Sequence, residues 1–321
     1  MLKLRFIVVL LAAAICAPRI TAAADWPNRP IHFIVPFPAA GSTDIAARVV
    51  GDYLSRTLGQ QVVVENKSGA NGNIGTEYVV RSAPDGYTIL ITTDSVSTNP
   101  HVYKLNFDPL RDLAPVIELS RQPIALAAHP SLGVTTLAGL TAKVKQQPGL
   151  RFATGSGVGS LQAMVALWYA KLAGITLTQV PYRGGGQAII DLIAGYVQLG
   201  SLGSSPLIPY YKAGTLNLLA QSMATRSASL PDVPTFQETG LTELAITQRI
   251  GVSAPRGTPL EITARLNAEI NAALGDEKIR KSFAEQAQEP TGGTAEQYAE
   301  LVRADSEIYA RLVKELNVKV E

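Results

Sequence analysis

Apolar and polar positions follow two rhythms along this chain: short apolar runs at strand spacing, then stretches whose apolar residues recur every three or four positions. Residues 31–35, 61–65 and 88–92 read as strands. Residues 44–58 read as a helix, with Ile45, Val49 and Leu54 at helical spacing and Gly59 as its stop. A Gly/Asn-rich loop, 68–75, leads into a helix through Arg81, and Pro84-Asp85-Gly86 is a turn signal before the third strand. The pattern restarts at Pro123, with an extended run 124–128, a helix 137–146, a short strand 151–154, a helix 161–173, a strand ending at Val180 and a helix 187–194. Beyond it, 216–221 and 249–254 read as strands and 260–274, 277–288 and 294–316 as helices. The last of these opens on Thr294-Ala295-Glu296-Gln297, a capping-box pattern. Strands separated by helices predict an α/β fold with parallel sheets covered on both faces. Apolar extended segments near Ile124 and Leu218 bracket the middle of the chain, which reads as an insertion tethered by two crossings.

Two strand-to-helix junctions stand out in this pattern. In the first, the strand 31–35 runs into a Pro/Gly turn and a polar cluster, Gly41, Ser42, Thr43 and Asp44, at the start of a helix. In the second, the strand 151–154 opens into Gly155-Ser156-Gly157-Val158-Gly159-Ser160 directly before the helix 161–173. Ser and Thr at such places can cap the helix, and the unpaired N–H groups of its first turn face whatever lies beyond the strand end. Each is a ready site for an anion, a carboxylate in particular. One such junction is ordinary α/β architecture, but the chain holds two of one kind, about 115 residues apart, in separate α/β segments.

Composition narrows the setting. Lys3 and Arg5 precede an apolar run, 6–17, and Ala22, Ala23 and Ala24 offer a cleavage site, so 1–24 reads as a secretory signal peptide and the mature protein as exported and soluble. The only cysteine, Cys16, falls in that segment, so neither disulfide nor thiolate chemistry is expected of the mature chain. Removing Lys3, Arg5 and Arg19 from the 28 Lys and Arg leaves 25 against 26 Asp and Glu, a formal charge of −1. A near-neutral chain without a long basic run gives no footprint for nucleic acid or an anionic membrane surface. The spaced glycines 155, 157 and 159 are not a dinucleotide fingerprint, because Ser160 stands where the third Gly belongs and no acidic residue follows at the required distance. His32, His101 and His129 are scattered, and no Gly-x-Ser-x-Gly elbow occurs, so no metal site, cofactor or catalytic triad is expected.

The segments RPIHFIVPFPAAGSTDIAAR, GQQVVVENKSGANGNIGTEYV, APDGYTILI, VPYRGGGQAIIDLIAGYVQ, RSASLPDVPTFQETGL and APRGTPLEITARLNAEINAAL resemble, in order, the Bug (TctC) family, the extracytoplasmic solute receptors of tripartite tricarboxylate transporters. The resemblance covers nearly all of the mature chain. It implies a type II periplasmic binding protein with two Rossmann-like lobes joined by two crossing strands, lobe one being 25–122 plus 224–321 and lobe two 123–223. On the same grounds the ligand-binding residues are expected to be Pro38, Ala40, Gly41, Ser42, Thr43 and Thr93 in lobe one, with Thr154, Ser156, Gly157, Gly159, Ser160, Tyr182, Gly185 and Ser201 in lobe two.

Several positions depart from the family pattern. Ala39 and Ala40 replace a Pro and a Gly, Ala163 and Leu167 stand where a His and a Glu are common, Gln198 stands near an expected Asp, and Arg249 replaces an aromatic. These positions are expected to tune ligand choice, with Arg249 as a possible counter-charge to a distal carboxylate. The function implied is capture of a small carboxylate by a periplasmic monomer, for membrane transporter subunits or for a membrane sensor protein. An enzyme acting on an organic acid is the weaker alternative, because no poised acid, base or nucleophile is apparent.

Overall fold

The structure, a computed structural model, describes residues 26–318. The signal-peptide reading and Cys16 lie outside them. The first strand, β1 (Ile31–Val35), is followed by α1 (Ser42–Thr57), β2 (Val62–Asn66), α2 (Asn73–Val80), β3 (Thr88–Thr93), α3 (Ser95–Val102), the short α4 (Pro109–Asp112) and β4 (Leu113–Gln122). The middle of the chain holds β5 (Ile124–Ala128), α5 (Leu137–Gln146), β6 (Arg151–Thr154), α6 (Leu161–Ala173), β7 (Thr178–Pro181), α7 (Gly185–Ile193), β8 (Leu199–Gly203), α8 (Ile208–Lys212) and β9 (Asn217–Gln221). The remainder is β10 (Gln248–Pro255), α9 (Leu260–Gly275), α10 (Glu277–Glu285), β11 (Glu289–Pro290) and α11 (Ala295–Glu315).

Two sheets result, in the orders β11-β4-β10-β3-β1-β2 and β7-β6-β8-β5-β9. Both are mixed, which corrects the expectation of wholly parallel sheets: β1 pairs in parallel with β2 and β3, while β10 runs antiparallel to β3 and β4. The reason is topological. The chain enters the middle segment along β4 and returns along β10, so these neighbours must point opposite ways. In the second sheet β6 is parallel to β7 and β8, and β5 is antiparallel to β8 and β9.

The first sheet is covered on both faces, as its near-continuous apolar strands require. Ile31, Phe33 and Val35 pack with Ala46, Val50 and Leu54 of α1 and Leu266 and Ile270 of α9; Ile34 and Leu90 pack with Val79 and Val96 on the other face. In the second sheet Ile124, Leu126 and Phe152 meet α5 and α6, while Ala125, Ala127 and Ala153 meet Ile189 and Leu192 of α7. The connection after β9 also packs here, burying Phe236, Leu244 and Ile246 on one face and Leu230 and Val233 on the other. The helix α11 joins the two bodies. Tyr298 near its start hydrogen-bonds Thr92 through their hydroxyls at 2.6 Å, whereas Tyr309, Leu312 and Val313 near its end are buried in the second core.

The chain passes from one sheet to the other through the single residue Pro123. Gln122, fully buried, donates from Nε2 to Gln248 Oε1 at 2.9 Å and accepts at Oε1 from the amide and hydroxyl of Ser205, at 3.1 and 2.6 Å. Gly203 leaves room for this network, since a Cβ there would lie 2.5 Å from Gln248 Oε1. The return crossing is held by Ser222, whose hydroxyl donates to Ile246 O at 2.7 Å and accepts from Ile124 N at 3.0 Å.

Two charged clusters fix the first lobe. Arg249 reaches Glu118 and Asp305, each at 2.9 Å, joining β10, β4 and α11. Its guanidinium is thereby committed, and the expectation that it answers a ligand's distal carboxylate is corrected. At the start of α1 the N-cap is Gly41, which has no side chain to offer, so neither Ser42 nor Thr43 caps this helix as the sequence suggested. The buried Asp44 organises the turn instead, accepting from Ala40 N at 3.0 Å, from Arg48 at 3.0 and 2.9 Å and from Asn66 at 2.9 Å. Burial raises its pKa, but the hydrogen bonds from Arg48, Asn66 and Ala40 outweigh this and hold it below the ordinary value.

Arg249→Ala strands two acidic groups in a poorly hydrated interface, and urea unfolding of the variant is expected to show a loss of about 3–5 kcal/mol. Because Asp44 has a depressed pKa when folded, its contribution is complete above its unfolded value of 3.8 and is lost as pH falls through the folded value. Thermal melts of wild type and Asp44→Asn are therefore expected to differ at pH 7 and to converge below pH 3.8; a gap that stays constant into acid would refute this role for the carboxylate.

Candidate functional site

The C-terminal ends of the parallel strands in both sheets point toward the boundary between the lobes, where open α/β sheets present their loops. A cavity of about 50 Å³ lies there. Phe37, Pro38, Gly41, Ser42 and Thr43 line it from the β1–α1 junction, Thr93 and Asp94 from the end of β3, and Asn71 and Gln248 from neighbouring segments. Opposite stand Gly155, Ser156, Ser160 and Gln162 from the β6–α6 junction, Gly184 and Gly185 at the start of α7, and Leu202, Gly203 and Pro206 after β8. An outer chamber of about 470 Å³ shares Phe37, Asn71 and Ser156 with it and continues past Tyr103, Gly157, Tyr182 and Arg183.

The structure thus brings together Pro38, Gly41, Ser42, Thr43, Thr93, Ser156, Ser160 and Gly185 around the inner cavity, and Gly157 and Tyr182 around the outer one. The other four candidates sit behind these. Ala40 adopts φ +64° and donates its N–H to Asp44. Thr154 donates its hydroxyl to Ser156 O at 2.7 Å, and Ser201 donates its own to Gln162 O at 2.6 Å, so both brace the loop rather than face the space. Gly159 is packed against Val102.

Among the altered positions, Ala163, Leu167, Gln198 and Arg249 are all absent from the walls of both chambers. Ala163 is buried in α6, Leu167 packs on the second core, and Gln198 donates to Ser131 at 2.8 Å. The expectation that they tune the ligand directly is corrected for contact.

Local sequence explains how each wall is held. Ser160 caps α6, its hydroxyl accepting from Ala163 N at 3.3 Å, and Gln162 accepts from Gly155 N at 2.8 Å, which ties the loop to the helix it precedes. Asn71 is fixed by Asn99, which accepts from its amide at 2.7 Å and donates to its carbonyl at 2.9 Å. Tyr103 donates to Val158 O at 2.7 Å, a direct bond from the first lobe to the second. Tyr182 donates to Asp191 at 2.7 Å, and burial together with that bond pushes its phenol up to about 12.

Among the described residues, Asp94 is the one formally charged side chain on the inner wall. The sequence reading stopped one residue short of it, at Thr93. Its signal was an acidic residue at the end of an apolar strand, where α/β sheets place ligand contacts. Gln162 and Gln248 were missed as well: the first hides inside an apolar helix, and the second reaches the cavity only because β10 returns beside β3. A larger hollow of about 980 Å³ lies between α5, β9 and residues 232–241. All its walls belong to the second sheet and the segments packed on it, so an occupant there is not gripped by both lobes.

Chemically, the inner cavity is lined by the starts of three helices and by Ser42, Thr43, Ser156 and Ser160, with no Lys or Arg among the described residues; at α6 the N–H of Leu161 is already directed at Asp94 and that of Ala163 at the Ser160 hydroxyl. Each helix end favours an anion by about 0.3–1 kcal/mol, and by up to about 2 kcal/mol when partly buried.

Comparison with known proteins agrees with this geometry. The family model described as "Tripartite tricarboxylate transporter family receptor" matches residues 46–318. Protein BugT of Bordetella pertussis is 34% identical over 316 residues, spanning 96% of this chain and 95% of its own. An R. palustris protein solved with adipate is 34% identical with a TM-score of 0.88, covering 92% of this chain and 99% of that one. MatC from Rhodopseudomonas palustris, solved with bound malate, is 28% identical with a TM-score of 0.85, covering 90% and 100%. The structure called periplasmic binding protein BugD is 30% identical with a TM-score of 0.87, covering 92% and 100%. With a two-lobed α/β fold, a cavity between the lobes and a family match over most of its length, the chain belongs to the tripartite tricarboxylate transporter receptor (TctC) family of solute-binding proteins.

Proposed function

We propose that this protein is a periplasmic receptor that closes on a small organic carboxylate and presents it to the membrane subunits of a tripartite tricarboxylate transporter. The observation that carries the reading is the meeting of helix starts from both lobes, α1 on one side and α6 and α7 on the other, around one cavity without a cation. Carboxylate oxygens suit such donors, because backbone N–H groups supply charge-assisted hydrogen bonds without the cost of burying a cation. Adipate and malate in the two related structures fit the same chemistry.

Closure follows from the division of the walls. A ligand that touches both lobes binds the closed form better than the open one, and only that difference drives closure. We place the lobes at 26–122 plus 248–318 and at 123–247. The second crossing is moved from the 223/224 boundary read in sequence, because Phe236, Leu244 and Ile246 pack with the second sheet. Pro123 and the Ser222–Ile246 bonds are the hinges in this reading. The ligand-contact set is Pro38, Gly41, Ser42, Thr43, Thr93, Ser156, Ser160 and Gly185 inside, with Gly157 and Tyr182 at the mouth. The role is binding rather than catalysis.

A thermal-shift screen of the protein without its first 24 residues tests the reading: a specific carboxylate raises the melting temperature with concentration, corresponding to about 2.7 kcal/mol at a hundred times Kd. If neutral sugars or cations shift the protein and carboxylates do not, the reading fails. Closure is tested at Gly184, where a Cβ would lie 2.9 Å from Pro38 Cγ across the cleft. Gly184→Leu is expected to weaken the binding of any carboxylate found in the screen by at least about tenfold, or 1.4 kcal/mol, with the ligand-free melting temperature little changed. Unaltered affinity would show that the lobes need not approach this closely.

A further inference from the structure

The carboxyl group of Asp94 is a poor neighbour for a dianion. It lies on the inner wall beside the helix starts, and among the described residues no Lys, Arg or His forms an ion pair with it. Its contacts are neutral donors. Gln248 Nε2 donates to Oδ1 at 3.2 Å, and the N–H of Leu161, in the first turn of α6 across the cleft, faces it as well. Gln248 is itself committed to Gln122, so the side chain that could turn away is locked by the hinge. Burial pushes the Asp94 carboxyl up to about 6, while Gln248, its own backbone and Leu161 pull it down and Asp305 pushes it further up. The group is thus an ionised acceptor at neutral pH with too little positive charge around it, since Arg249, next to Gln248 in β10, is spent on Glu118 and Asp305.

We infer that Asp94 is the counter-ion for a cationic group on the ligand, so that the receptor selects an amino-carboxylate over the plain dicarboxylate of the same length. The carboxylates of such a molecule lie on the helix starts and hydroxyls, and its ammonium supplies the missing positive charge to Asp94. A ligand lacking the ammonium places bare carboxylate beside carboxylate in a small, poorly hydrated space, where like charges disfavour each other. This inference rests on the carboxylate-receptor reading and deepens it.

Matched pairs of acids test it by isothermal titration at pH 7.5: aspartate against succinate, glutamate against glutarate, and 2-aminoadipate against adipate. Wild type is expected to bind the amino acid of at least one pair roughly 10- to 100-fold more tightly than its plain partner, the range that a charge-assisted hydrogen bond supplies. Asp94→Asn is expected to bring that ratio near one, by weakening the amino acid and tightening the plain acid. Far-UV circular dichroism and a melt check that the variant is folded, and the wild-type ratio decides the matter even if it is not. Plain acids that bind wild type as tightly as their amino counterparts overturn the inference while leaving the receptor reading intact, and so does a ratio unchanged in a folded Asp94→Asn. If none of the six acids binds, the inference falls, and the wider carboxylate thermal-shift screen decides the receptor reading separately.

Discussion

Gln122 is the residue on which the arrangement of the two lobes depends. Both ends of its amide are used, toward Gln248 in the first sheet and toward Ser205 in the turn that follows β8 of the second, and it has no exposure to water. A buried amide that loses its partners costs about 1–3 kcal/mol per unsatisfied group, so the sheets are held in register at the crossing. The next residue but one, Ile124, already belongs to the second sheet. The same network passes through Gln248 to Asp94, which connects the hinge to the inner cavity by two hydrogen bonds.

Charge is handled differently in the core and at the cleft. In the core of the first lobe, Arg249 is placed between two carboxylates, and burial would otherwise penalise all three. At the cleft the walls are glycines, hydroxyls and helix starts, with Asp94 the only formal charge on the inner surface among the described residues. A site built from backbone donors needs little side-chain reorganisation when an anion arrives, and its cost is met during folding by Asp44, Ser160 and Gln162, which hold the two loops in shape.

Much of the architecture was legible in the chain. The helices at 137–146 and 161–173 match the observed α5 and α6 end to end, because caps and apolar spacing agree there, and the capping box at Thr294 is present. The strand β4 was missed because Pro115, Glu118 and Arg121 interrupt its apolar pattern, and these residues make sense only once β10 and β11 lie beside them. The strand β8, Leu-Gly-Ser-Leu-Gly, carries no strand signal of its own; its glycine at 203 answers a contact with Gln248 from the other sheet. The helix α3 is built from Ser, Thr, Asn and an internal Pro100, and packing against α11 rather than propensity supports it.

The sequence alone determined the α/β class, the two strand-to-helix junctions and the choice of small polar residues at them, because these are written in local periodicity and capping chemistry that neighbouring residues decide among themselves. Tertiary structure decided which side chains face the cleft. Arg249 was drawn inward by two acids that lie 131 and 56 positions away in the chain, and Asp94 was exposed to the cavity by strand pairing and by a helix from the other lobe. No local signal encodes such approaches, since the energy that selects them comes from burying charge beside charge across segments that meet only when both sheets are complete.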